Sequence, residues 1–169
     1  MHEPFLFDGQ EAYIDMFEKR MNELGFDEAK KQQYRKYKQQ YSTVIYTDDA
    51  LRSFIKKYSQ RPEFNNTIFV ITGDHRMGII PQVTKIDKFR VPFLIYSPML
   101  KKAQRFEAVN THSNVPPSIV SYLRNNYGMP FPEKVHWLGE ALDTAKTFRN
   151  KHSMALMRNK KELIDYICL

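Results

Sequence analysis

The sequence predicts a layered α/β fold, and three observations support this prediction. Apolar side chains recur at three- and four-residue steps across residues 28–58, which is the pattern of one buried helical stripe. Two short apolar runs, at residues 67–72 and 90–96, are typical of buried strands, and the first reads as a strand covered on both faces. A further helix is predicted from residue 115 onward. Helix, strand, loop, strand and helix in alternation indicate helices layered on a sheet.

The segment before the sheet is predicted to be helical. A short helix is expected over residues 9–24, and Asp27 can cap the next helix, which is expected to run unbroken over residues 28–58. Arg61 followed by Pro62 ends it, because the residue before a proline disfavours helical backbone. The apolar stripe of the long helix consists of Tyr34, Tyr37, Tyr41, Val44, Ile45, Leu51, Phe54, Ile55 and Tyr58. Asp48 falls on this stripe, so we expect it to be buried and to accept bonds from Arg76 or Arg90.

The bounds of the later elements follow from prolines, glycines and polar caps. Gly73 closes the first apolar run. Pro92 lies inside the second run, so regular pairing is expected only after it. Asn114 precedes a segment with two prolines in its first turn, which predicts the start of a helix that ends near Gly128.

The composition excludes several classes of protein. The chain has 169 residues, of which 42% are hydrophobic, so intrinsic disorder is excluded for the chain as a whole. A single cysteine, Cys168, excludes an intrachain disulfide and a cysteine metal site. The net charge of +7 fits either an anionic partner or solvated basic faces. Because no zinc-finger, RNP-like or helix-turn-helix pattern accompanies the charge, we expect no nucleic-acid partner.

Chemistry is concentrated in Gly73, Asp74 and His75, directly after the first predicted strand. Ligands of open α/β sheets bind beyond the carboxyl ends of the strands. A carboxylate oxygen beside an imidazole nitrogen suits Zn²⁺ or Mn²⁺, and glycine removes side-chain bulk where the backbone must turn. The alternative is a capped turn with a hydrogen-bonded imidazole and no metal.

Four segments together resemble the C-terminal half of sulfatase-like enzymes of the alkaline phosphatase superfamily, and most closely the branch of lipoteichoic acid synthases and related sulfatases. They are Tyr-Thr-Asp-Asp-Ala-Leu at 46–51, Asn-Thr-Ile-Phe-Val-Ile-Thr-Gly-Asp-His-Arg at 66–76, Arg-Val-Pro-Phe-Leu-Ile-Tyr-Ser-Pro at 90–98, and His-Ser-Asn-Val-Pro-Pro-Ser-Ile at 112–119. The resemblance implies that residues 1–169 form one partial domain. It also implies that the fold of this domain is the C-terminal part of an alkaline-phosphatase-like layered α/β/α sheet domain.

The resemblance also implies roles for individual residues. Asp74 and His75 correspond to metal ligands of the family, with Zn²⁺, Mn²⁺, Ca²⁺ or Mg²⁺ as the divalent ion. His2, within His-Glu-Pro-Phe, resembles a segment that contributes to the substrate-anion pocket. Arg76 stands where the family usually has Gly or Tyr, and it is expected either to reach the substrate anion or to form a salt bridge. His112 is a further candidate for substrate binding, although Asn114 occupies the position that is usually acidic.

The implied activity is metal-dependent hydrolysis or transfer of sulfate or phosphate esters. The nucleophile and further acidic ligands would come from an N-terminal half that precedes residue 1, so the chain alone is expected to be inactive. Its exposed sheet edge is expected either to mediate self-association or to be covered by a rearrangement of residues 1–25. The resemblance implies an extracytoplasmic, membrane-anchored protein. A basic, non-catalytic binding segment that retains the fold is the alternative.

Overall fold

The computed structural model describes residues 3–150 and the backbone of two further strands at residues 154–157 and 163–167. The chain divides into two compact units, Met1–Lys101 and Lys102–Leu169. The first unit contains α1 (Gln10–Glu23), α2 (Glu28–Arg35), α3 (Lys38–Tyr58), β1 (Phe69–Thr72) and β2 (Phe93–Tyr96). The second contains α4 (Val115–Tyr127) and an antiparallel strand pair, β3 (Met154–Met157) and β4 (Leu163–Ile167).

Helices α1 and α3 pack against each other and form the core of the first unit. Phe17 and Met21 of α1 are buried, and the Phe17 ring stacks on Tyr41 of α3 at 5.4 Å. The facing side of α3 is polar and small, because Ser42 and Thr43 are fully buried and turn their hydroxyls back onto carbonyls of their own helix. Such short, internally bonded side chains let two helices approach without leaving polar groups unpaired.

The long helix predicted over residues 28–58 is wrong in one respect, since it is broken into α2 and α3. Tyr37, between them, has φ −121° and ψ 29°, and its N–H bonds to the Tyr34 carbonyl three residues back. The aromatic stripe crosses the break, because the Tyr34 ring stacks on Tyr41 at 5.2 Å. The apolar periodicity therefore continues across residues 36 and 37, although the helical conformation is interrupted there. The predicted cap on α2 is confirmed, with Asp27 Oδ1 accepting the Lys30 N–H at 2.7 Å.

A bidentate ion pair joins α2 to α1. Arg35 donates from Nε and Nη2 to the Glu18 carboxylate, each at 2.9 Å, and also bonds to Glu28. The bond from Arg35 is the main reason why the pKa of Glu18 lies below its ordinary value. A lowered pKa in the folded state means that the pair stabilises the fold above the unfolded carboxyl pKa of about 4.3, and that this contribution is lost as the pH falls further.

We therefore expect Glu18→Gln to be less stable than the wild type at pH 6, and the difference to be smaller at pH 3. The effect should be modest, because both side chains are one-third exposed and water screens the pair. Urea unfolding followed by circular dichroism at both pH values measures it. In an Arg35→Met background the Glu18→Gln difference should vanish at pH 6, and a difference that persists there would contradict the assignment.

The sheet of the first unit has two strands among the described residues. β1 and β2 pair antiparallel with Phe69 opposite Tyr96 and Thr72 opposite Phe93, so the two predicted strands do belong to one sheet. Regular pairing begins directly after Pro92, as predicted. On one face, the end of α3 covers β1 through Tyr58, whose ring meets Phe69 edge-on at 5.1 Å. Helices and a small sheet in one unit confirm the α/β class.

Both apolar runs are expected to form buried strands, the first covered on both faces, and this prediction is wrong for the described residues. Ile68 lies before β1 and is 38% exposed, and the residues of β2 are 37–52% exposed. A continuous apolar run shows that a strand can be covered, but it does not show what covers it. Here each strand has one paired edge, and helix packing reaches mainly one face.

The second unit is organised around the start of α4. The helix has its prolines in the first turn and ends at Gly128 with φ 61°, as predicted. Asn114 does not cap α4 with its side chain. Instead its Oδ1 accepts the Thr111 N–H at 2.7 Å, and its Nδ2 donates to the Glu140 carbonyl at 3.0 Å. Asn114 is buried, and its bond to the Glu140 carbonyl links the turn before α4 to a later segment of the second unit.

Candidate metal centre

The candidate site lies where the chain leaves β1. The Gly73 N–H and the Thr72 hydroxyl both donate to the Pro92 carbonyl, at 3.3 and 3.0 Å, and these bonds end the contact with β2. A Cβ on Gly73 would lie 3.4 Å from the Val91 Cβ, so the glycine lies close to the segment that leads into β2. Asp74 and His75 follow at once and project from the end of the strand. Their side chains are 89% and 56% exposed, so a solute ion can reach them.

The His75 ring is held in one tautomer. Its Nδ1 lies 2.8 Å from the Arg76 carbonyl oxygen. A carbonyl only accepts hydrogen bonds, so Nδ1 carries the proton and, in the neutral ring, Nε2 carries the lone pair. This arrangement is common for metal-binding histidines, which donate their other ring N–H to a carbonyl or carboxylate.

The Asp74 carboxylate is oriented by the backbone of its neighbour. Oδ1 accepts the His75 N–H at 3.0 Å, and Oδ2 lies 3.7 Å from His75 Nε2. Two ligands at about 2.0–2.2 Å in tetrahedral geometry are separated by about 3.3–3.6 Å, so a small shift would let one cation contact both atoms. The pair therefore fits two positions of a divalent metal site. No cluster of three potential ligands occurs within the described part of the chain.

The other predicted site residues are placed differently. Arg76 is half-buried and donates from Nη1 to the Gly78 carbonyl at 3.0 Å, within its own loop. His112 is exposed and belongs to the short turn His112–Asn114 of the second unit. His2 lies outside the described residues.

The expectation for Asp48 is wrong. Asp48 is exposed and pairs with Arg52 one turn along α3, at 3.2 Å. The half-buried carboxylate is Asp49, which accepts the Tyr13 hydroxyl at 3.2 Å. Arg90 lies 3.9 Å from Asp87 instead. Asp48 and Asp49 lie about 100° apart around the helix, and Asp49 is the one that contacts α1.

The comparison with known protein families decides the classification. The sulfatase family model matches residues 1–125, about three quarters of the chain. The chain belongs to the sulfatase family. Searches of curated proteins and of solved structures find no match.

Asp74 and His75 lie within the part of the chain that matches the sulfatase family. The matched region includes Asp74, His75, His112 and most of α4. Sulfatase-family proteins are generally metal-dependent hydrolases. In the described residues no helix is both long and apolar enough for a membrane span. The sequence predicts a role for the Arg76 side chain but not for the Arg76 carbonyl, which bonds to His75. Every residue has a backbone carbonyl, so the sequence carries no signal for this bond.

Proposed function

We propose that this sulfatase-family chain is the metal-ligand-bearing part of an enzyme that hydrolyses or transfers sulfate or phosphate esters. The observation that carries the proposal is the pairing of Asp74 Oδ2 with His75 Nε2 at 3.7 Å, in a ring whose proton is held on Nδ1. Two donors of the types that bind divalent ions thus lie side by side at an exposed strand end. Family membership supports the same assignment.

The proposed reaction follows from general ester chemistry. Asp74 and His75 would hold a divalent ion, with Zn²⁺, Mn²⁺, Ca²⁺ or Mg²⁺ as candidates, and the bound ion supplies Lewis acidity toward an ester oxygen. A nucleophilic hydroxyl loses its proton and attacks the sulfur or phosphorus, the bond to the ester oxygen breaks, and the departing alcohol takes up a proton. Water or an acceptor alcohol then takes the sulfuryl or phosphoryl group from the nucleophile. We propose that the nucleophile and further ligands lie outside these 169 residues.

Binding of the substrate anion is proposed for His2, Arg76 and His112. An arginine has five N–H donors, and one Nη1 bond to Gly78 leaves the guanidinium its positive charge and further donors. The net charge of +7 is compatible with an anionic substrate. The similarity of His-Glu-Pro-Phe to lipoteichoic acid synthases supports a phosphotransferase variant and an extracytoplasmic, membrane-anchored location.

A basic, non-catalytic binding segment is the second candidate. It is favoured by the presence of only two adjacent donors, with no third within the described residues. The two candidates differ in metal binding, because a segment that merely retains the fold has no reason to bind Zn²⁺ or Mn²⁺ at Asp74.

The isolated chain is expected not to turn over p-nitrophenyl sulfate or p-nitrophenyl phosphate. Catalytic zinc sites generally use three protein ligands and one open position, whereas Asp74 and His75 supply two. Release of p-nitrophenol with Zn²⁺ or Mn²⁺ present measures the activity. Turnover that EDTA and His75→Ala both abolish would show that the chain contains a complete site.

We also expect the isolated chain to self-associate through its sheet. Phe93 and Ile95 alternate onto one face of β2, both are exposed, and each strand of this sheet has an unpaired edge among the described residues. Light scattering should show a mass that rises with concentration, and Ile95→Lys should lower it. A constant monomer mass for the wild type would contradict this expectation.

A further inference from the structure

Arg76 makes two hydrogen bonds at the site with different parts of the residue. Its carbonyl accepts the His75 Nδ1–H at 2.8 Å, and its guanidinium Nη1 donates to the Gly78 carbonyl at 3.0 Å. The first bond sets the tautomer of the candidate ligand. The second bond closes a turn over residues 76–78, which begins with the residue whose carbonyl bonds to His75. The Arg76 carbonyl therefore orients His75, and the Arg76 side chain ties that same residue to Gly78.

The end of this turn is open to solvent. Nothing lies within 4 Å of the position that a Cβ on Gly78 would take, and Asp74, His75 and Gly78 are all exposed. The next backbone bond, from the Ile80 N–H to the Met77 carbonyl, is long at 3.4 Å. In a loop of this kind, the charge-assisted bond from the Arg76 guanidinium to the Gly78 carbonyl restrains the direction of the Arg76 carbonyl.

We propose that Arg76 is a positioning residue, which fixes its own carbonyl through the bond to Gly78 and so holds His75 as the Nδ1–H tautomer with the Nε2 lone pair turned toward a metal. This proposal rests on the proposed function for its purpose, since a fixed Nε2 lone pair serves metal binding. The hydrogen-bond arrangement itself can be tested without any metal.

The direct test is the ring tautomer of His75 in the metal-free chain, read from ¹⁵N chemical shifts of its imidazole. The measurement is made at about pH 8.5, above the ordinary range of imidazole titration. The wild type should show the Nδ1–H form. Arg76→Ala should move the ring toward the Nε2–H form that histidine prefers in water, and Arg76→Lys, which keeps a cationic donor, should restore part of the wild-type spectrum.

Arg90→Ala is the matched control, because Arg90 is an exposed arginine of the same loop region whose nearest carboxylate is Asp87 at 3.9 Å. Its His75 spectrum should match that of the wild type. If Arg76→Ala retains the Nδ1–H form, or if the wild type lacks it, the proposal is wrong.

Zn²⁺ affinity provides a second readout, because a positioning role and a simple charge effect change the affinity in opposite directions. Removing a positive charge near a cation site should strengthen cation binding, whereas loss of a group that orients a histidine ligand weakens it by about 10–100-fold. We expect Arg76→Ala to weaken Zn²⁺ binding by about 10-fold and Arg90→Ala to leave it unchanged or slightly stronger. Tighter binding by Arg76→Ala would overturn the proposal. A wild-type chain that binds no Zn²⁺ would refute the proposed function, and the tautomer would still decide the role of Arg76.

Discussion

Replacing His75 with alanine is expected to weaken the binding of Zn²⁺ or Mn²⁺ by more than about 100-fold, because loss of an outer partner of a ligand alone costs about 10–100-fold. Asp74→Ala should have an effect of similar size. Either substitution leaves one exposed candidate ligand in place of two whose ligating atoms, Asp74 Oδ2 and His75 Nε2, are 3.7 Å apart. Calorimetric titration of the wild type and of each variant measures the loss.

Two controls make this result specific. Asp87→Ala removes a carboxylate from the loop between the strands, where Asp87 bonds to the Thr84 hydroxyl, and it should leave the metal affinity unchanged. EDTA should return the wild type to its metal-free signal. Equal metal binding by the wild type and by Asp74→Ala would support the non-catalytic binding segment.

Replacing Gly139 with alanine is expected to destabilise the second unit by at least about 1–3 kcal/mol, the usual cost of inserting a methyl group into a filled space. A Cβ at this position would lie 2.3 Å from the Ser113 carbonyl oxygen and 2.5 Å from its carbon. The clash is with backbone, so no side-chain rotation relieves it. The turn that carries His112 would have to move away, and the bond from Asn114 to the Glu140 carbonyl would be lost.

The single tryptophan of the chain, Trp137, lies two residues from Gly139 and reports on this change. Urea unfolding followed by its fluorescence should show a lower midpoint for Gly139→Ala. Gly78→Ala is the control, since a Cβ there meets nothing within 4 Å. Equal midpoints for Gly139→Ala and the wild type would contradict the close approach of residues 113 and 139.

Local signals in the sequence predict the elements well and their surroundings poorly. Asp27, Pro92 and Gly128 act on adjacent backbone, and each acts as predicted. Burial depends on what arrives from elsewhere in the chain, so the apolar runs did not show that β2 would be exposed. The same limit applies to α3, whose buried side chains are Gln40, Ser42 and Thr43, while Val44 and Phe54 of the apolar stripe are about half exposed.

The candidate site could be predicted in part for the same reason. Asp74 and His75 are recognisable because their side chains have metal-binding chemistry and follow a strand. The bond that sets the His75 tautomer comes from a backbone carbonyl, which every residue has, so its role becomes visible only in three dimensions. The exchange of roles between Asp48 and Asp49 likewise depends on Tyr13 of another helix.

A divalent ion is expected to bind at Asp74 and His75. Paramagnetic broadening by Mn²⁺ in the ¹⁵N-labelled 169-residue chain locates the ion even when binding is weak. We predict that the amide signals of residues 73–77 and of Val91 broaden first, because Val91 packs against Gly73, and that Asp74→Ala removes the effect. Broadening centred on other carboxylates, such as Glu11 and Asp15 of α1, or broadening at residues 73–77 that survives Asp74→Ala, would contradict binding of the ion at Asp74 and His75.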